Sequence, residues 1–267
     1  AQRLILHRKA NGIQQKLATM ASRDKNPFAR IHALSILDAL GHLSDESLAA
    51  ALSDPDQGVL LVAVRLSETR IAESTKILDR VIGLVDHESP SITLEAALML
   101  GQSDSNAAGE ALARIGTRPN LDHWLADAIV SSASSHAETI SAHMLSATSE
   151  DPNFLTSSRL DLLQRLLATA QHQGQPISDL AEATLASPDL KLDSRLRLAE
   201  CVIGAARAAK SDVSSLSKVL RPLQKSAQNI AADTQQSELT RCRAVSLIGV
   251  NVDAGDAEAE FLLSLLN

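Results

Sequence analysis

Apolar residues recur at helical spacing along most of the chain, in segments separated by short polar turns. An early example is Phe28–Leu37, which follows the turn Asn26-Pro27 and carries an apolar side chain every three or four positions. That period is typical of amphipathic α-helices. Similar segments follow the turns at Asp54-Pro55 and Ser89-Pro90. The pattern predicts an all-α protein built from short helices.

The centre of these segments carries a small or aliphatic residue that recurs at a regular distance. The steps between successive equivalents are 30, 34, 31, 35, 36 and 45 residues. Spacing in the thirties is typical of helix-pair repeats of the HEAT or armadillo kind. We therefore expect a single α-solenoid of about seven stacked helical hairpins over residues 1–267. The equivalent residues are Ala33, Ala63, Ala97, Ala128, Leu163, Ala199 and Ala244.

The second helix of each pair is expected between these central positions. In the last predicted segment, Pro222 lies inside the helical pattern and should kink or split the helix, because proline removes a backbone hydrogen bond. The predicted second helices are Asp45–Ser53, Ser74–Asp86, Ala107–Ile115, Glu138–Leu145, Ser178–Leu185 and Val213–Ala231.

Residues suited to helix ends punctuate the pattern. Asn, Asp or Ser followed by Pro favours a helix start. The side chain accepts a hydrogen bond from a free backbone N–H of the first turn, and Pro lacks only an N–H that would have no partner there. Glycine after a helix accepts the left-handed conformation of a C-terminal cap. The predicted starts are Asn26-Pro27, Asp54-Pro55, Ser89-Pro90, Asp151-Pro152 and Ser187-Pro188, and the predicted ends are Gly41, Gly101 and Gly116.

Composition narrows the class of partner. The chain has no Tyr, one Trp and three Phe, so Leu, Ala, Ile and Val supply its apolar mass. A net charge of −7, with scattered Lys and Arg, argues against nucleic acid, which requires concentrated positive charge and stacking aromatics. No apolar run reaches the length of a membrane span. The chain opens without Met and ends on an apolar helical pattern, so we expect a fragment of a longer protein.

No motif for catalysis, cofactor or metal binding occurs. The eight histidines include no HExxH and no pair four residues apart, and P-loop, GxGxxG, GxSxG and CxxCH patterns are absent. His136 and His143 flank Glu138, but a solvated or helix-end role is the simpler interpretation of both. Cys201 and Cys242 are expected to be buried thiols, although a disulfide between them is possible if their helices are neighbours. The sequence therefore predicts no catalytic, cofactor or metal residues.

His123 and Trp124 form the most unusual local feature, since Trp124 is the only tryptophan. Tryptophan is enriched in the central contacts of protein interfaces, which makes this pair a candidate partner-binding site. At a helix position, however, tryptophan is more often part of the core. The sequence is compatible with both interpretations.

One stretch, Asn26–Glu68, resembles the HEAT-repeat region of large multidomain proteins from planctomycete-type bacteria. Those proteins are described as membrane-bound dehydrogenases or haem-binding CxxCH proteins. A β-propeller precedes their repeats and a c-type haem segment follows them. The chain departs from the pattern at Leu60 or Leu61, where HEAT repeats often have Arg. The matching residues are Ala33-Leu34, Leu40-Gly41, Asp54-Pro55-Asp56, Val59 and Arg65-Leu66.

The resemblance implies an exported or periplasmic, redox-linked parent protein, with dehydrogenase and haem chemistry outside these 267 residues. In HEAT-like repeats, arginines placed like Arg30 and Arg65 pair with Asp in adjacent turns, here Asp54 or Asp56. The structural repeat positions are therefore Arg30, Ala33, Asp54, Asp56, Ala63, Arg65 and Ala97.

Three functional hypotheses follow. The first is a non-catalytic scaffold whose stacked hairpins present a long surface to a protein partner or to neighbouring domains of the same chain. The second is a pure spacer between the dehydrogenase and haem domains of the parent. The alternative from another class is a HEAT-like enzyme, related to alkylpurine DNA glycosylases or bilin lyases. The negative charge and the scarcity of aromatic residues argue against the glycosylase.

Overall fold

The computed structural model of the protein describes residues 12–119, 121–151, 154–174, 184–185, 190–211, 216–248 and 256–265. Fourteen α-helices have defined bounds among these residues, which contain no β-strand. The prediction of an all-α protein is thereby confirmed.

The helices are short and follow one another closely. In chain order they are α1 Gln14–Arg23, α2 Pro27–Ala39, α3 Asp45–Ala51, α4 Gln57–Leu66, α5 Thr75–Ile82, α6 Pro90–Leu100, α7 Asn106–Gly116, α8 His123–Ser131, α9 Ala137–Glu150, α10 Ser157–His172, α11 Leu192–Ala208, α12 Ser217–Ala232, α13 Glu238–Ile248 and α14 Asp256–Ser264.

The chain divides into two compact units, the first holding α1–α8 and the second α9–α14. In the first unit, successive helices pair as α1 with α2, α3 with α4, α5 with α6 and α7 with α8. Helices two apart also pack together. They form one row of α2, α4, α6 and α8, and another of α1, α3, α5 and α7. Each hairpin therefore contacts the next through both of its helices.

In the second unit, α9 packs on α10 and α12 packs on α13. The helices α10, α11 and α13 form a row in which each contacts the next. The prediction of one array over the whole chain is not tested by this division and stays a prediction.

The seven central positions all lie in the core. Each belongs to a helix of the α2–α4–α6–α8 row or of the α10–α11–α13 row, and none is more than 4 % exposed. Alanine suits these positions because a small side chain lets a neighbouring helix approach closely.

Several predicted helix ends have the expected chemistry. The Oδ1 atom of Asn26 accepts the Phe28 amide at 3.0 Å, and Pro27 begins α2. Ser89 precedes Pro90 at the start of α6, although its side chain makes no capping hydrogen bond. Gly41 has the left-handed φ of 69° that ends a helix with glycine.

Other predicted ends differ from the structure in part. Asp54 does not cap α4; Asp56 does, accepting the amides of Gly58 and Val59. Gly101 ends α6 as predicted, but its φ of −65° is ordinary, so it is not a left-handed cap. Gly116 is the last residue of α7, again without a left-handed φ.

Pro222 was predicted to kink or split its helix, and the split is wrong, since α12 continues from Ser217 to Ala232; the kink stays a prediction. Proline costs one hydrogen bond in a helix interior, but packing of the apolar face against α13 can outweigh that loss. Other predictions lie wholly or partly outside the described residues. Among the predicted second helices, these are Ser178–Leu185 up to residue 183 and residues 213–215 of Val213–Ala231. Among the predicted helix starts, these are Pro152 of Asp151-Pro152 and both residues of Ser187-Pro188.

Candidate interaction surface

Arg30 and Asp54 form a largely buried ion pair between α2 and the turn before α4. Two parallel bonds join them: Nε to Oδ2 at 2.8 Å and Nη2 to Oδ1 at 2.7 Å. Only 12 % and 11 % of the two side chains are exposed. Hydrogen bonding to Asp54 raises the pKa of Arg30 above its usual value. The expected acidic partner of Arg30 is therefore Asp54.

Both partners also organise the neighbouring turns. The Nη1 atom of Arg30 donates to the carbonyl oxygen of Asp24 at 2.8 Å, just before α2. The Oδ1 atom of Asp54 accepts the amide of Asp56 at 2.9 Å, just before α4. A bidentate guanidinium fixes orientation as well as distance. This pair therefore sets the start of α2 relative to the start of α4.

Arg65 was expected to pair with Asp54 or Asp56, and that expectation is wrong. Its guanidinium instead bonds to Glu95 of α6, and this contact raises the pKa of Arg65. Arg65 lies in the last turn of α4, about two turns from the acidic residues at its start. The pair thus connects two helices of one row at their exposed surface.

Further polar contacts join residues about 30 positions apart. The Nη1 atom of Arg70 lies 3.2 Å from Asp38 Oδ1, and Arg118 Nη2 lies 2.8 Å from Asp86 Oδ1. Lys76 and Glu46 are joined more loosely, at 3.8 Å. Opposite charges at this separation are visible in the sequence, but many such pairs occur by chance, so the separation alone does not identify these contacts.

The end of the first unit is held by a buried histidine. His136 is 2 % exposed, and its Nε2 atom lies 2.6 Å from the carbonyl oxygen of Ser103. The ring nitrogen is the donor, since a carbonyl only accepts. The neighbouring Ser135 hydroxyl bonds to Asp104. The solvated alternative predicted for His136 is therefore wrong, whereas the helix-end alternative agrees with its place directly before Ala137, the first residue of α9.

The pair Arg65–Glu95 lies within a partly exposed apolar surface. Leu61 lies one turn before Arg65 on α4, and Leu94 and Leu98 flank Glu95 on α6. Each of these three leucines is half-buried. We call Leu61, Arg65, Leu94, Glu95 and Leu98 the α4–α6 face. A surface in which leucines surround a charged pair has the composition of a surface that can bind protein.

His123 and Trp124 begin α8, and the tryptophan is 64 % exposed. The two ring centroids lie 4.7 Å apart, with the rings tilted by 40°. The interpretation of Trp124 as a core residue is therefore wrong. Position two of a helix lies at the edge of its packed segment, where a large side chain can extend past the neighbouring helix.

The two cysteines differ sharply. Cys201 is buried in α11, and its Sγ donates to the carbonyl oxygen of Leu160 in α10 at 3.5 Å. Burial, reinforced by the charge of Asp161, raises the pKa of the Cys201 thiol to about 12. Cys242 is exposed, so the prediction of two buried thiols is wrong for Cys242, and neither thiol is in a disulfide.

One open cavity, of about 770 Å³, lies beside Cys242 in the second unit, and sequence reasoning missed it. Its walls come from the end of α12, from α13 and from the α14 region, and four of its residues are Arg241, Cys242, Val245 and Leu263. The sequence signal was weak, because these residues fit an ordinary amphipathic helix.

A metal centre would require several ligating side chains together, and the described part of the chain places no group of three His, Cys, Asp or Glu suitably. Among the same residues, no helix is both long and apolar enough to cross a membrane. No protein-family model matches the chain, and no curated protein is similar enough to it to count as a relative.

Proposed function

We propose that the chain is a HEAT-like α-solenoid that acts as a non-catalytic scaffold, binding a protein partner or a neighbouring domain of its parent protein. The observation that carries the proposal is the packing of helices two apart into rows in the first unit. Such packing is the defining property of stacked helical hairpins, in which each repeat contacts its neighbours.

Polar contacts support the same architecture. Asp38 with Arg70, Glu46 with Lys76 and Asp86 with Arg118 each join residues 30 or 32 positions apart. A repeated distance of this kind is expected when equivalent turns of successive hairpins lie side by side. A globule of irregular helices would show no common separation.

The α4–α6 face is the surface that we assign to partner binding in the first unit. Its leucines surround a charged pair, and interfaces combine an apolar centre with polar groups that fix register. The facing helices of a stack form a continuous surface, so a partner could contact several repeats at once.

The proposal is tested by photo-crosslinking in cells that make the parent protein. A benzoylphenylalanine is placed at Leu98 of the α4–α6 face, or at Ala50, an exposed residue of α3, as the matched control. We expect one defined protein or parent domain to be crosslinked from position 98 and not from position 50. Equal crosslinking from both positions, or turnover of a substrate by the purified chain alone, would contradict the scaffold.

A further inference from the structure

A polar cavity of about 370 Å³ lies in the first unit, between the C-terminal ends of α3 and α5. Its volume is within the range of small-molecule sites. Ser53, which follows α3, and Asp79 and Arg80 of α5 line it together with leucine side chains. The cavity therefore combines opposite charges, a hydroxyl group and an apolar surface.

The two charges on α5 have no ionic partner among the described residues. Asp79 and Arg80 are adjacent in the helix, and side chains at adjacent helical positions do not face each other. The Nη1 atom of Arg80 donates to the Ser53 hydroxyl at 3.1 Å, and no described carboxylate lies within ion-pair distance of this guanidinium. By contrast, Arg114, the equivalent arginine of α7, lies 3.8 Å from Asp86. One carboxylate and one guanidinium thus remain available at the cavity.

The other ionisable groups of the wall do not change this balance. Asp54 lines the cavity, but Arg30 offsets its charge through two parallel bonds. The Nδ1 atom of His87 accepts the amide of Ser89 at 3.0 Å, so in the neutral ring the proton lies on Nε2, which is a donor. The wall therefore offers a cationic and an anionic contact at once, without a net charge.

The apolar part of the wall is formed by Leu52, Leu60 and Leu84, which are all buried. Beside them, Gly83 leaves space. Its φ of −63° is ordinary, and a Cβ atom added there would have only the carbonyl oxygens of Arg80 and Asp79 within 4 Å. The local backbone does not require glycine at this position, and a large side chain would occupy the cavity.

We propose that this cavity binds a small aliphatic α-amino acid in its zwitterionic form. The carboxylate of the ligand bonds to Arg80, its ammonium group bonds to Asp79, and its side chain contacts the leucines. The partial negative charge at the C-terminal ends of α3 and α5 also favours an ammonium group. A ligand with a single charge would cover either Asp79 or Arg80 without a counter-charge, and burial of an unpaired charge is unfavourable.

This inference goes beyond the proposed scaffold and depends only on contacts around one cavity. Absence of crosslinking from Leu98 would leave amino-acid binding unaffected, and absence of amino-acid binding would leave the crosslinking result unaffected. The two proposals can therefore fail separately.

Isothermal titration calorimetry of the full chain tests the proposal with three matched compounds. The probe is L-leucine, and the controls are 3-methylbutylamine, which lacks the carboxylate, and 4-methylpentanoate, which lacks the ammonium group. We expect L-leucine to bind with a dissociation constant below about 1 mM, and each control to bind about tenfold more weakly or not at all.

Variants identify the two charged contacts. Arg80→Gln and Asp79→Asn should each weaken binding of L-leucine by about tenfold. Arg80→Gln should also remove the preference for L-leucine over the amine, and Asp79→Asn its preference over the carboxylate. Gly83→Leu should abolish binding by filling the cavity. The matched control is Arg114→Gln, which should leave binding unchanged, and thermal unfolding of each variant reports that it is folded.

Three results would overturn the proposal. The first is no heat of binding with L-leucine up to about 10 mM, well above the expected dissociation constant. The second is equal binding of L-leucine and either singly charged control, which would show that one of the two charges is not recognised. The third is binding that survives Gly83→Leu in the folded chain, or that falls equally in the Arg80→Gln and Arg114→Gln variants, which would place the ligand elsewhere.

Discussion

Gly101 and Ser132 lie closer together than any other residue type at position 101 would allow. A Cβ atom built on Gly101 would be 2.6 Å from the Cβ of Ser132 and 2.7 Å from its Cα. The backbone of Gly101 is ordinary, with φ at −65°. Glycine is therefore required here for the close approach of the segments that follow α6 and α8, and not for a left-handed turn.

Gly101→Ala should lower the free energy of unfolding by about 2 kcal/mol, because the new methyl group meets backbone that can move only with its helix. The matched control is Gly83→Ala, where the nearest atom would be the Arg80 carbonyl oxygen at 3.4 Å. Gly83 also has an ordinary φ of −63°, so its variant should change stability by less than about 0.5 kcal/mol. Urea denaturation of both variants measures the difference. Equal effects would show that the Ser132 contact is not what matters.

Asp54→Asn should destabilise the protein by several degrees in Tm. The amide cannot accept two charge-assisted bonds from Arg30, and it leaves the guanidinium without its counter-charge in a largely buried place. Glu46→Gln is the control, because Glu46 and its partner Lys76 are exposed and 3.8 Å apart. Exposed pairs of this kind contribute little. Thermal unfolding that responded equally to both variants would contradict a special role for the Arg30–Asp54 pair.

The helical period and the central alanines could be predicted from the sequence because they depend on local periodicity and on burial. Ala33, Ala63 and Ala97 were expected as equivalent positions, and all three are completely buried. A small residue with apolar neighbours at helical spacing is expected to be buried, so the pattern alone identifies a core position.

Polar partners were harder to predict, because they depend on distances between turns. Arg30 had two candidate acids nearby, and geometry selected Asp54, which left Asp56 free to cap α4. Arg65 bonds to Glu95, thirty residues away, which no local pattern indicates. The exposure of Trp124 likewise depends on how far the packed part of α8 extends towards its first residues.

The two thiols should differ in reactivity at pH 8. Cys242 is exposed and should react quickly with an aromatic disulfide reagent, whereas Cys201 is buried with its pKa raised to about 12 and should not react until the protein unfolds. Thiol titration should give one fast equivalent in buffer and two in concentrated urea. Cys242→Ser is the control and should abolish the fast reaction. A fast second equivalent without denaturant would contradict the burial of Cys201.

Stability should also fall in alkaline solution for a reason specific to Cys201. In the folded state the thiol holds its proton up to a pKa of about 12, whereas its ordinary value is 9.0. Between these values the folded state binds more protons than the unfolded state, so the free energy of unfolding falls as pH rises, by at most about 1.4 kcal/mol per pH unit.

Cys201→Ala removes the pH-dependent contribution of this thiol, so the variant should lose less free energy of unfolding than the wild type between pH 9 and pH 11. At pH 7 the variant should be the less stable of the two proteins. Urea denaturation at several pH values measures both curves. Lysine titration affects both proteins equally, so parallel curves would argue against the raised pKa.

Trp124→Ala should leave stability nearly unchanged, within about 0.5 kcal/mol, because most of the indole already faces water. Leu112→Ala, at a fully buried position of α7, should cost about 2–5 kcal/mol and serves as the contrast. As the only tryptophan, Trp124 should also show the fluorescence of a solvated indole, with strong quenching by acrylamide. An unquenched, blue-shifted spectrum in the purified chain would place Trp124 in a core and remove it from the candidate partner contacts. Quenching that disappears when a partner is bound would assign it to the interface, since an exposed indole is protected only by a surface that covers it.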